Sequence, residues 1–134
     1  MEPDELEARL RDTFDRWNRG DYSVRPGTLD PDVEIISAAG MLSGGPYRGY
    51  DGYQRWIADI SESFDEWGLR LDEFEPLAPD RVFLVGAVHF RGRGSGVDVD
   101  LPCAWIMDHI EGMLTRLEAF PNRVDEAREI AARA

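Results

Sequence analysis

Cysteine is nearly absent from this chain: a single residue, Cys103, excludes an internal disulfide, so packing and hydrogen bonds must hold the fold. No stretch approaches 18 apolar residues, which excludes a membrane-spanning helix. The opening Met-Glu-Pro-Asp-Glu has neither a basic region nor an apolar run, so no secretory leader is expected and the chain reads as cytoplasmic. Basic residues are scarce, 15 Lys and Arg against 27 Asp and Glu for a formal charge of -12. That balance opposes nucleic acid and anionic membrane surfaces as partners, because both need clustered cations. The two histidines, His89 and His109, sit in different settings, and with one cysteine they form no cluster at metal-ligand spacing. Glycines 92, 94 and 96 join two strands instead of leading from a strand into a helix, so they form no phosphate loop. No metal and no cofactor is therefore expected.

What the chain does have is 134 residues, 43% of them apolar, enough to bury one core and too few for two. A single domain over residues 1–134 is expected. Leu6, Leu10, Phe14 and Trp17 lie at steps of four, four and three, one helical stripe, which Gly20-Asp21 ends. Val33-Glu-Ile-Ile-Ser37 is short and β-branched, as a strand should be, and a polar loop over 40–49 follows. A second helix is predicted from Asp51, with Gln54 in a capping box and Tyr53, Ile57, Ile60, Phe64 and Trp67 as its stripe. Leu69 and Leu71 alternate with charges in a strand that breaks at Pro76, Pro79 and Asp80. Val82 to Phe90 is apolar at almost every position, the pattern of a strand covered on both faces. Asn122 is placed to cap a short last helix whose apolar edge is Val124, Ala127 and Ala131.

The stretch from Arg91 to Asp100, Leu-Pro-Cys-Ala-Trp105 and Glu118 to Arg123 read as three consecutive antiparallel strands. A Gly94-Ser95 turn of type II′ sets Arg91 opposite Asp98 and His89 opposite Asp100. An imidazole oriented by a carboxylate is a candidate general base, with His89 and Asp100 as catalytic residues. The same pair also reads as an ordinary cross-strand charge contact. Arg116, Glu118 and Phe120 share one side of the last strand. A two-residue Glu111-Gly112 loop puts them with Cys103, Trp105 and Met107, and one extra residue puts them with Asp100, Pro102 and Ala104. His109 falls in a turn and is expected in solvent. Cys103, inside an apolar strand, is expected to be a small buried hydrophobe. Trp17, Tyr53, Trp56, Trp105 and Phe120 are candidate walls for a flat hydrophobic ligand, with Arg91, Arg116 or Glu118 stabilising charge or fixing it.

Tyr47-Arg-Gly-Tyr-Asp-Gly-Tyr-Gln-Arg-Trp56, the 91–100 hairpin and Glu118-Ala-Phe-Pro-Asn-Arg123-Val-Asp-Glu-Ala127 together resemble the SnoaL-like group of the nuclear transport factor 2-like superfamily. The resemblance covers nearly the whole chain. It implies a cone-shaped α+β fold, a bent antiparallel sheet wrapped around helices, pairing into homodimers, and an internal pocket for a small hydrophobic molecule. The activities it implies are cofactor-independent acid–base reactions of isomerase, cyclase or dehydratase type, or binding without chemistry. Steroid isomerisation in this superfamily uses a tyrosine, a carboxylate base and a protonated acid. Those positions fall at Thr13, at Ile36 or Ser37, and at Cys103 or Ala104, which argues against that mechanism here.

Overall fold

The computed structural model describes residues 1–37, 45–92, 94 and 96–133. Helix α1 spans Pro3–Asn18, with proline in the first turn and Asp4 and Glu5 facing the positive end of the helix dipole. The expected stripe is its buried face: Leu6, Phe14 and Trp17 are in the core and Leu10 is half-buried. Strand β1 is Leu29–Ile36, β2 is Tyr47–Arg48, and helix α2 is Gly49–Ser63. This helix starts before Asp51 and is capped from Arg48 without a side-chain bond, so the expected capping box does not set its start.

Phe64 and Trp67 do not continue the helix. They open the long strand β3, Phe64–Ala78, where Phe64 pairs with Gly92 and Trp67 with Phe90 of β4, Arg81–Gly92. A full ladder of sheet hydrogen bonds outweighs the weak local preference for helix in these residues. Strands β5, Asp98–Ile110, and β6, Met113–Pro121, and helix α3, Val124–Arg133, complete the chain.

The six strands form one sheet in the order β2-β1-β6-β5-β4-β3. It is mixed, not wholly antiparallel: β1 runs parallel to β6, and the other pairings are antiparallel. Strand β4 is covered on both faces from Val82 to Val88, as its nearly continuous apolar run predicts, and opens to solvent from His89 onwards. Val82, Leu84 and Val88 join α1 and α2 in the main core, while Phe83 packs with Ala104, Ile106 and Phe120 against Ala127 and Ala131 of α3. None of the helices among the described residues is long and apolar enough to cross a membrane.

The β5–β6 hairpin decides which side chains face inward. Glu111 and Gly112, both at positive φ, make the two-residue loop, and Ile110 pairs with Met113. The register then shifts between Asp108 and His109, so that Arg116 lies opposite Asp108, Glu118 opposite Ile106 and Phe120 opposite Ala104. A bulge thus does what an extra loop residue would have done, putting all three on the Asp100, Pro102 and Ala104 face.

His109 belongs to β5 and is 3% exposed, not a solvated turn residue. Its Nδ1 accepts the Gly112 N–H at 3.2 Å, and burial holds the imidazole below its ordinary value of 6.5. The neutral ring therefore contributes stability that is complete above the unfolded value and is lost as pH falls from there towards the folded one. Urea unfolding between about pH 7.5 and about pH 5.5 should show stability falling with acid, and His109→Asn should flatten that slope. An unchanged slope in the variant contradicts the assignment.

Candidate functional site

A cavity of about 610 Å³ lies between α2 and the concave face of the sheet. All four tryptophans of the chain, Trp17, Trp56, Trp67 and Trp105, line it. Trp17 and Trp56 meet edge to face with ring centroids 5.5 Å apart, and Trp56 and Trp67 lie 6.5 Å apart at 60°. The floor comes from alternate residues of β4, β5 and β6: Val88 and Phe90, Leu101, Cys103 and Trp105, Leu117 and Ala119. Burial pushes the Cys103 thiol up to about 12, so it is a neutral apolar surface and not a nucleophile.

The polar part of the lining is small. Asp59 is the one carboxylate that reaches the chamber among the described residues. It shares a stripe of α2 with Trp56, Ile60 and Ser63, at helical steps of three and four. Tyr47, 2% exposed, donates its hydroxyl to Asp59 Oδ2 at 2.6 Å. Gly52 allows this approach, because a Cβ there would sit 2.8 Å from the carbonyl carbon of Tyr47. With the Tyr47 backbone pressed against α2 at Gly52, its ring reaches along the helix to Asp59.

Three buried polar atoms on chamber-lining residues have no hydrogen-bond partner among the described residues: Ser37 Oγ, Trp56 Nε1 and Trp67 Nε1. Each unsatisfied group of this kind costs about 1–3 kcal/mol. Trp17 differs, since its Nε1 donates to Tyr53 Oη at 3.0 Å and that hydroxyl donates to the Tyr22 carbonyl at 2.9 Å.

Of the residues expected to form the site, Trp17, Trp56 and Trp105 line this chamber. Tyr53 lines a second, smaller cavity. The register pairing His89 with Asp100 and Arg91 with Asp98 is present, although Ser95 of the turn lies outside the described residues. His89 Nδ1 is 2.9 Å from Asp100 Oδ1 and its Nε2 is 3.6 Å from Asp98. The pair is nevertheless on the opposite face of the sheet from the chamber, because the chamber takes Val88 and Phe90, the residues on either side of His89. The Asp100 side chain is 73% exposed. Arg91 lies beside His89 on that outer face, bridging Asp98 at 3.1 Å and Glu66 at 3.6 Å. Arg116 bridges Glu34 and Glu118, and Glu34 also holds Arg48 at 2.9 Å, so these charges form an outer row. Phe120, 1% exposed, is packed under α3 and not in the chamber.

Asp59, Tyr47, Ser37 and Trp67 were not on the expected list. Asp59 had a signal: it lies three residues after Trp56 and four before Ser63, a second stripe beside the apolar one. Ser37 was singled out only through the family resemblance, as a place where the base position falls, and nothing gave Tyr47 a role, since its contact with Asp59 is made across the fold.

No protein-family model matches this chain, and no curated protein matches it. Solved structures do. An NTF2-like protein of unknown function from Burkholderia pseudomallei K96243 superposes with a TM-score of 0.77 at 21% identity, over 96% of this chain and 97% of that one. TerC, co-crystallised with polyporic acid, gives 0.75 at 21% identity over 95% and 98%. A SnoaL-like polyketide cyclase homologue from Jannaschia sp. CCS1 gives 0.73 at 18% identity over 97% and 94%. The fold is thus the NTF2-like α+β cone, with a bent sheet that does not close.

Proposed function

On this NTF2-like cone, we propose that the protein binds a small, flat, largely apolar molecule carrying an acceptor oxygen, in the chamber walled by its four tryptophans. The observation that carries the reading is the combination of an apolar chamber of about 610 Å³ with buried donors on Trp56, Trp67 and Ser37 that have no partner among the described residues. An apolar body replaces water against the rings, and a carbonyl-type oxygen gives those donors an acceptor. TerC, a fold neighbour, was crystallised with polyporic acid, which supports a small-molecule ligand on this fold.

The chemistry proposed for the chamber is proton transfer without a cofactor. Asp59 acts as base and then as acid on the bound molecule, and the Tyr47 hydroxyl orients its carboxylate. The outer-face His89–Asp100 pair is left as a sheet contact, in the range of about 0.2–1 kcal/mol.

Fluorenone and fluorene test the binding site, since they share a shape and differ in one carbonyl. Fluorenone should quench tryptophan fluorescence saturably and bind about tenfold tighter than fluorene, the worth of a satisfied buried donor. Ala119→Phe, which fills the chamber from a half-buried position, should keep the melting temperature and lose fluorenone binding. Equal binding of fluorenone by wild type and Ala119→Phe rejects the chamber as the site.

A further inference from the structure

A second cavity of about 280 Å³ lies between α1, the chain at 23–29 and the end of the sheet, separated from the tryptophan chamber by Trp17 and Leu117, which line both. Its floor is apolar, built from Leu6, Leu10, Phe14, Leu84, Met107 and Leu114. Its charged lining is three guanidinium groups, Arg9, Arg16 and Arg25, against a single carboxylate, Asp12. In a chain of net charge -12 the lining itself carries an excess of cations, with Glu5 and Asp21 outside it lying 4.0 Å from Arg9 and Arg25.

Arg16 is the informative member. It is 4% exposed, and with His109 it makes up the buried polar or charged residues of the described chain. A buried cation needs full compensation, and Arg16 has little. Its Nε donates to Asp12 Oδ2 at 3.1 Å, but that carboxylate is 62% exposed. The other acceptors are the Ser23 carbonyl at 3.4 Å and Thr13 Oγ1 at 3.3 Å, both long. Five N–H groups thus meet three acceptors, none of them a buried anion.

We propose that this cavity is a second ligand site, distinct from the tryptophan chamber, which takes an amphiphilic carboxylate. Its head pairs with the Arg16 guanidinium and its aliphatic tail lies on the leucine and phenylalanine floor. A planar guanidinium receives a carboxylate through two parallel hydrogen bonds, while the half-exposed Arg9 and Arg25 at the mouth are each loosely paired, with Glu5 and Asp21 at 4.0 Å. Asp12 competes with the ligand for the same guanidinium.

Calorimetric titration of the full chain with octanoate, and with octanol as the neutral analogue, tests the site. Octanoate should bind with one-to-one stoichiometry, and octanol at least about tenfold more weakly. Arg16→Gln should weaken octanoate at least about tenfold, and Asp12→Asn, which frees the guanidinium, should tighten it several-fold. Saturating fluorenone should not displace octanoate. The proposal is overturned if octanoate does not bind, if octanol binds as well, or if Asp12→Asn weakens binding. It is also overturned if fluorenone competes, since octanoate would then occupy the tryptophan chamber. If Arg16→Gln does not fold, the octanol comparison and the Asp12→Asn result still decide.

Discussion

Gly86→Ala is expected to cost about 3 kcal/mol or more of folding stability, the upper end of what overpacking does. Gly86 pairs with Leu71 of β3 on one side and Cys103 of β5 on the other. A Cβ at this position would lie 1.7 Å from the Arg70 carbonyl oxygen and 2.8 Å from its carbon. Those are backbone atoms of a neighbouring strand, so no side-chain rotation relieves the clash. The β3 register shifts at this point, between Leu71 and Glu73, and such a bulge bends the strand. The missing side chain of Gly86 thus permits the bend of β3 over β4 beside the chamber. Urea unfolding measures the loss directly. Gly68→Ala, whose Cβ would meet the Asn18 side-chain oxygen at 3.1 Å, is the milder comparison, because that contact can move. A Gly86→Ala protein as stable as wild type would contradict this account of the bend.

Asp59→Asn is expected to lower any proton-transfer rate supported by the chamber by about 10²–10⁴-fold, the usual contribution of a positioned acid or base. Asparagine keeps the shape, and its carbonyl oxygen still accepts the Tyr47 hydroxyl at the Oδ2 position, so binding should survive while the base is lost. The reading is deuterium incorporation next to the carbonyl of α-tetralone, a flat ketone, followed by NMR in heavy water. Wild type should accelerate exchange over buffer, Asp59→Asn should not, and Tyr47→Phe should fall between them. His89→Ala, on the outer face, should match wild type. If Asp59→Asn exchanges as fast as wild type, or if His89→Ala is the variant that fails, proton transfer belongs elsewhere. If α-tetralone binds and no variant differs from buffer, the chamber binds without chemistry.

Much of the architecture was legible in local pattern. The 6, 10, 14, 17 spacing marks a helix face, and the nearly continuous apolar run in β4 marks a strand between two layers. The pairing of His89 with Asp100 also followed from the chain, because a hairpin fixes register by counting outward from its turn. The side of the sheet on which that pair lies did not follow. Sidedness is set by which face the helices cover, a long-range choice that alternation alone leaves open. The bulge between Asp108 and His109 was equally silent, yet it moved Arg116, Glu118 and Phe120 to the outer face. Trp67 follows a helical count from Ile57 and Ile60 but pairs with Phe90 in the sheet, because backbone pairing outweighs periodicity at a helix end. The parallel contact of β1 with β6 joins segments far apart in the chain, and nothing in either segment announces it. The site divided in the same way. Its aromatic walls were readable as bulky residues on inward stripes, whereas the Tyr47–Asp59 contact requires β2 to be folded against α2 at Gly52.

A crystal of the protein soaked with bromofluorenone tests the central claim most directly, because the anomalous signal of bromine locates the ligand without interpretation of its shape. The account predicts one bromine peak within the volume bounded by Trp17, Trp56, Trp67 and Trp105, with the ketone oxygen in hydrogen-bond range of Trp56 Nε1, Trp67 Nε1 or Ser37 Oγ. A bromine peak outside that volume, or tryptophan side chains closed together with no room for a ligand, would contradict it.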